Sequence, residues 1–558
     1  MEKSKALNSK LQAAINAHKL RMAEVNDYID FLKGKQYPKT PKRDEVTFNI
    51  CHTTVQAILN SILRGNSFIY VDPNSKEATL PMDENEPEGM KIYQMVEKVI
   101  NYWWKKLKVK YQLELSTTDY AALGLGVTYT DWDYQTDEDG KIVKDEPFVI
   151  HIPYEDFLID PRATTEEIYE APHMIRRFMK PTKELKADKR YKHTKNIVGD
   201  VKLSEDIYKD KDLAECTRLY QMWCLDEGES YVLREGSDDV LRTVENKFGR
   251  EYPFVLAQNY KMPGELLPFG EVKILYEPQK ILNRIFSLIL THARRVSTRQ
   301  YTANQMISDM EVRKLKDAKD GEVLKIEGNA KATDVITPIQ DAPLPGDVYK
   351  AYEMINSAIV QLSSISEYRR SMMPQEQRKA TEAVYIEQGT ELSVSAKAED
   401  ITEHSEGISK KLFKLIINKS NINTKEITYK DEKTGQWITQ EYNNKSFPGE
   451  YSFRWESGVE GPVNIATRQQ KALGLLQAIA NITRLNPQVA QTINWKELLK
   501  ASLTPFEMKN LEEILTPDET QMLEGEMGQP GGQPVGGQPT GRGVDPAVVE
   551  EIVSRLGA

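Results

Sequence analysis

The sequence predicts an α+β chain, mostly helical, from three observations. Residues 6–33 and 379–419 read as long helices. Residues 126–260 break into short strand-type runs, with a hairpin signal at Asp139-Gly140, where glycine accepts positive φ. The C-terminal third returns to helical segments and ends in a Gly/Gln/Pro run.

With 558 residues there is room for several modules, and a formal charge of −10 argues against a chain-wide sheath on nucleic acid. Cys51, Cys216 and Cys224 are too few and odd in number for a disulfide framework, which makes a reducing compartment the expectation. Cys216 and Cys224 fall on one face of a strand, and buried thiols are preferred to a metal pair. MEKSKALNSK lacks the apolar core of a signal segment, and no run reaches the roughly 18 apolar residues of a membrane span.

In chain order, Leu7, Leu11, Ile15, Met22, Val25, Ile29 and Leu32 mark the first helix, with Gly34 as its stop. A second helix is expected over 49–63, a strand in SFIYVDP, and a helical segment over 90–124 containing Trp103 and Trp104. GVTYTDWDY and FVIHIPYEDFLIDP flank the hairpin, and further strands are expected at 215–226, 229–234 and 253–260. A helix then starts near Pro278, a residue suited to the first turn, and runs to Gln300, roughly 35 Å. GEVLKIEGNAKATDVITPI is β-like and turn-rich.

Helix returns at about 347–369, with Val348, Ala351, Tyr352, Ile355, Ile359 and Leu362 on one side. After SMMPQEQRK comes the long helix, roughly 60 Å, in which Gly389 and Gly407 predict a kink or a close contact. EITYKDEKTGQWITQEY and EYSFRWES are strand-type. Helices are then expected at 463–485, 487–500, 504–515 and 516–523, the last two capped by Thr504 and Thr516. A terminal helix with Val548, Val549, Ile552, Val553 and Leu556 in one stripe follows the low-complexity linker, which is expected to be disordered.

Catalytic patterns are scarce. There is no phosphate-loop motif and no G-x-S-x-G, and the seven histidines are dispersed. Asp131 and Asp133 share a strand face and could bind a divalent ion as in a metal-dependent nucleic-acid enzyme; a solvated face beside an acidic hairpin is the preferred account. No catalytic, cofactor or metal residue is assigned.

The helix near 281–290 poses a sharper question. Seven of these ten residues are apolar (Ile281, Leu282, Ile285, Phe286, Leu288, Ile289 and Leu290) and they surround the helix instead of forming one stripe. Such a helix needs cover on several sides, and copies of itself in a closed ring would supply it. It ends in Arg294, Arg295 and Arg299. Interaction with the helix dipole and contact with a polyanion explain that knot equally well.

The order helix, β-rich insert, helix, polar loop and very long helix resembles the core of the portal proteins of tailed double-stranded DNA bacteriophages. FLKGKQY with VTFNICHTTVQAILNSI, YEDFLIDPRAT, LPFGEVKILYEPQKILNRI, RKATEAVYIEQG and SGVEGPVNIATRQQKALGLLQAI are each similar to portal segments, in portal order.

That resemblance implies a ring, usually of twelve subunits, around a channel at one capsid vertex. Double-stranded DNA is packaged and ejected through the channel without being read. The ring is a docking platform for the terminase large subunit and then for head–tail adaptors, beside major capsid and scaffolding proteins. Location in the virion, after assembly in host cytoplasm, follows.

It divides the chain into wing (1–273 and 379–456), stem helices (274–300 and 346–369), clip (301–345), tunnel loop (370–378), crown (457–523), linker (524–545) and terminal helix (546–558). Met372, Met373, Pro374, Gln375, Glu376 and Gln377 would line the channel. Ile281, Leu282, Ile285, Phe286, Leu288 and Ile289 would pack subunits together. Arg294, Arg295, Arg299, Arg369, Arg370 and Arg378 are candidates for contact with DNA or the motor, although pairing with a neighbouring subunit is preferred for the last three. The terminal helix has no family counterpart: its stripe docks on the crown, docks on a scaffolding protein, or is a packing remnant. A head–tail adaptor or internal virion protein is the nearest structural alternative, and the length of the chain and the order of its parts count against it.

Overall fold

The computed structural model describes residues 2–37, 45–63, 68–82, 90–136, 142–202, 215–297, 301–303, 310, 313, 331, 336–338, 343–363, 380–420, 425–430, 437–456, 474, 475, 477 and 479. The chain is α+β, about half helical and a quarter strand. It forms two units, Met1–Gly458 and Val459–Ala558. In the second, the four described residues are helical. The other helices expected there, the linker and the terminal helix lie outside the described residues.

Helix α1 (Glu2–Leu32) serves two apolar clusters. Leu7, Leu11, Ala14 and Ile15 pack with Leu158, Ile175, Met222 and Leu233, while Val25 and Phe31 join the main core. Gly34 at φ +80° ends it, as its position in the sequence predicts. Helix α2 (Ile50–Ile62) is capped by Asn49, whose side chain accepts from the His52 N–H.

The segment expected as one helix over 90–124 is two, α3 (Ile92–Lys106) and α4 (Val109–Leu123). Lys108 at φ 51° makes the joint, a left-handed conformation that no helix continues through. Trp103 and Trp104 are buried in the main core, and burial of side chains this large contributes at least ~2 kcal/mol each.

Strand β1 (Phe68–Pro73) pairs antiparallel with the last described strand, β15 (Tyr451–Glu456). The expected hairpin is β2 (Leu125–Thr136) with β3 (Ile142–His151), and β10 (Phe254–Gln258) pairs with the other edge of β2. A six-stranded sheet holds β4 (Phe157–Ile159), β5 (His173–Pro181), β7 (Glu215–Cys224), β8 (Glu229–Leu233) and β9 (Arg242–Glu245) in that order, with β6 (Val201–Lys202) beside β7. The sequence gives no strand signal for β5, because Arg176 and Arg177 interrupt its apolar pattern. In the fold Arg176 lies over the Tyr129 ring at 4.5 Å, and Arg177 pairs with Asp156 at 2.6 Å. Cys51, Cys216 and Cys224 are buried and free.

Helix α6 (Glu271–Ser297), preceded by the short α5 (Thr182–Ala187), contains Pro278 in its interior. The expected start at Pro278 is therefore corrected by two turns. A mid-helix proline leaves the carbonyl four residues back without its N–H partner, and here tertiary anchors hold the turns before it. Two short strands, β11 (Tyr301–Ala303) and β12 (Ile336–Pro338), pair antiparallel within the expected β-like insert; the rest of that insert is outside the described residues except for isolated positions. Helix α7 (Gly346–Ser363) packs on α6, with the Phe286 and Tyr352 rings 6.3 Å apart.

The long helix is α8 (Ala380–Ser420), 41 residues. A Cβ on Gly407 would lie 2.7 Å from Val255 Cγ1, so the glycine permits a close approach to β10, a strand and not a helix. β13 (Lys425–Lys430) and β14 (Trp437–Tyr442) form the expected hairpin.

Candidate functional site

The α6–α7 pair is held at three levels. At its base, Gly270 sits against the end of α4, where a Cβ would come 2.4 Å from the Ala122 carbonyl carbon. Glu271, wholly buried, accepts from Tyr260 Oη at 2.9 Å and pairs with Lys397 Nζ of α8 at 2.8 Å. Lys397 also donates to Asn259 Oδ1 at 2.9 Å and lies 4.1 Å from the Tyr260 ring centroid. A buried charge requires such company.

One turn past Pro278, Gln279 and Asn283 present two buried amides. The Gln279 side chain accepts from the Ile50 N–H at 3.2 Å and donates to the Phe48 carbonyl and, at 2.9 Å, to Asn283 Oδ1. Asn283 accepts from the Phe48 N–H at 3.4 Å and donates to the Gln36 side chain. The helix thereby pairs with the backbone leading into α2. Two polar residues four apart inside an apolar run were a signal that sequence reasoning passed over.

Higher up, Phe286 meets Phe48 at 4.5 Å edge-on as well as Tyr352. Here the expectation of a helix apolar and covered on all sides is corrected. Leu282 is buried within its own protomer, Ile285, Phe286, Ile289 and Leu290 are half-buried, and Ile281 and Leu288 are 44% and 55% exposed. Leu282 and Phe286 are thus engaged inside the protomer by α7 and the 45–50 segment, whereas Ile281 and Leu288 face outward. On α7, Tyr349, Met354 and Leu362 are also exposed, although Leu362 was expected on the packed side.

Arg294 is half-buried near the end of α6 and, with Lys280 and Arg284, lines a groove of about 690 Å³ against Gln36, Tyr37 and Glu45. Arg295 belongs to the same helix; Arg299, Arg369, Arg370, Arg378 and the segment from Met372 to Gln377 lie outside the described residues.

The Asp131–Asp133 pair is committed elsewhere. Asp131 bonds Lys247 Nζ at 2.5 Å, Tyr129 Oη at 2.6 Å and the Trp132 N–H at 2.7 Å, and Asp133 pairs with Lys144 at 2.9 Å. An ion there would have to displace two lysines. Among the described residues, no group of three His, Cys, Asp or Glu side chains is arranged to hold a metal, and no helix is long and apolar enough to cross a membrane.

The histidines serve the interior. His404 of α8 places Nε2 3.3 Å from both Ser116 Oγ and Thr128 Oγ1, and burial pushes its pKa down to about 3. His18 and His173 are pushed down to about 4, again chiefly by burial.

Comparison with curated proteins returned no match. The sequence profile of the family described as phage SU10 portal protein, however, matches residues 48–538, which takes in the α6–α7 pair, the insert between them and the long helix after them. By that match, over most of its length, the chain belongs to the phage SU10 portal protein family.

Proposed function

We propose that this protein assembles into a ring, of about twelve copies by family resemblance, at one vertex of a phage capsid. Double-stranded DNA passes through its channel during packaging and ejection. The ring serves first as the platform for the terminase motor and then for the tail adaptors, beside capsid and scaffolding proteins. The protein is structural, and the energy for DNA movement comes from the separate motor.

The observation that carries this reading is the family match, joined to the apolar side chains that one protomer leaves open on both stem helices: Ile281 and Leu288 on α6, Tyr349, Met354 and Leu362 on α7. Exposed apolar surface in a row is a mark of association. In this reading wing (1–273 and 379–456), stem (274–300 and 346–369), clip (301–345), tunnel loop (370–378) and crown (457–523) keep the boundaries that the resemblance implies. Met372, Met373, Pro374, Gln375, Glu376 and Gln377 touch the moving duplex, being flexible or mostly uncharged, while the acidic net charge of −10 per chain keeps DNA from adhering to the wall. Arg294, Arg295 and Arg299 meet DNA or an adjoining protein where stem joins clip; Arg369, Arg370 and Arg378 pair mainly with neighbouring subunits.

The test is the mass of the purified protein in solution, with negative-stain images of the same sample. A ring with a central hole, near twelve subunits, is expected. A chain that stays monomeric at high concentration and with scaffolding protein added would overturn the ring, and magnesium-dependent cutting of DNA by that monomer would revive the enzyme alternative.

A further inference from the structure

The two exposed stem faces differ in charge, and they lie level with one another. Helices α6 and α7 run antiparallel, since β11 just after α6 pairs with β12 just before α7. The Phe286–Tyr352 contact fixes their register. Arg284 lies two residues from Phe286, about 3 Å along the axis, and Glu353 one residue from Tyr352, about 1.5 Å, both toward the base of the pair. Their heights therefore agree to about 1.5 Å. By the same register Leu288 comes level with Lys350, next to Tyr349, and Ile281 with Ser357, near Met354.

The outward stripe of α6 carries Lys273, Glu277, Lys280 and Arg284 around Ile281 and Leu288. Lys273 pairs with Glu24 at 3.7 Å and Lys280 with Glu277 at 3.1 Å. Arg284 has no ion pair or hydrogen bond among the described residues. The outward stripe of α7 carries Asp347, Lys350 and Glu353 around Tyr349 and Met354, and Glu353 is likewise unpaired among the described residues. Because the inner faces of the helices are turned toward each other, their outer faces look in opposite directions.

A ring built head to tail needs two different, complementary surfaces on opposite sides of each subunit, and rotation about an axis along the stem preserves height. We infer that the outer face of α6 docks on the outer face of α7 of the next copy, with Arg284 of one protomer paired to Glu353 of its neighbour and the exposed apolar side chains packed around that pair. The inference rests on the ring reading above and gives it a specific contact. Charge at such a seam sets which faces meet and in what register.

The experiment is a charge exchange in the full-length chain: Arg284→Glu, Glu353→Arg and both together, with ring population followed by native mass and negative stain, and protomer folding by thermal melting. Each single reversal puts like charges face to face and is expected to raise the concentration needed for rings about tenfold, with the melt of the dispersed protein unchanged; the double reversal restores assembly to within about threefold. Arg284→Gln and Glu353→Gln, which only delete charge, should weaken assembly less and reduce its sensitivity to salt. Single reversals that assemble normally, or a double reversal no better than the worse single, would overturn the pairing while leaving the ring intact. Wild-type protein that forms no ring under any condition overturns the ring reading, and this contact with it.

Discussion

Lys397 Nζ and Glu271 Oε1 are 2.8 Å apart with both side chains buried, so the first residue of α6 is tied to the interior of α8. In the portal reading these two helices flank the clip and tunnel-loop segments, and a shift of one helix base is felt by the other. Removing one charge leaves its partner stranded in the core. Glu271→Leu or Lys397→Met alone should lower stability by about 3–5 kcal/mol, and the double variant should recover much of that loss. Denaturant titration of the three variants measures the coupling; single variants within about 0.5 kcal/mol of wild type would show the pair to be inert.

Gly407→Ala isolates the contact between α8 and β10. Alanine improves helix propensity by about 1 kcal/mol, but its Cβ would stand 2.7 Å from Val255 Cγ1. Overpacking of about 1–3 kcal/mol should win, making the single variant the less stable. Adding Val255→Ala removes the obstructing methyls, so the pair should show positive coupling in thermal melts.

Acid sensitivity should follow the buried histidines. With its folded pKa pushed to about 3 against an ordinary 6.5, His404 stays neutral in the fold while the unfolded chain takes up a proton. The unfolded state then binds more protons, and stability falls as pH drops from about 6.5 toward about 3, by up to about 1.4 kcal/mol per pH unit from this group. Above that window its contribution is constant. His18 and His173 act in the same sense. His404→Gln should flatten the slope between pH 6 and 4, whatever it does to stability at pH 8; an unchanged slope would remove His404 from the account.

Arg294 and Arg295 close α6 at the level where stem would meet clip. Replacing both by alanine should leave rings in negative stain but impair DNA packaging in an assembly reaction with motor and procapsid. Normal packaging by that variant would reduce the pair to its helix-terminal role.

The signals that sequence carried faithfully were local. Asn49 before α2, Gly34 after α1, and the hairpin of β2 and β3 are each specified by residues within a few positions of one another. The order of helix, insert, helix and long helix was legible for the same reason, and it led to the family. Legibility failed where distant segments set the outcome. The α3–α4 break depends on one lysine, Lys108, in a left-handed conformation that no motif announces. The arginines of β5 masked a strand whose neighbours β4 and β7 enclose it. Pro278 looked like a helix start because the anchors at Glu271 and Gly270 come from α8 and α4, elsewhere in the chain.

By itself, then, the sequence determined the kinds of element, their order and their apolar faces, since these follow from backbone geometry and side-chain periodicity over a few turns. Only tertiary structure decided that β1 pairs with β15, that Leu282 is spent inside the protomer while Ile281 and Leu288 are left outside, and that Arg284 stands level with Glu353. Those facts depend on the distances between segments far apart in the chain, and such distances are set by packing of the whole core.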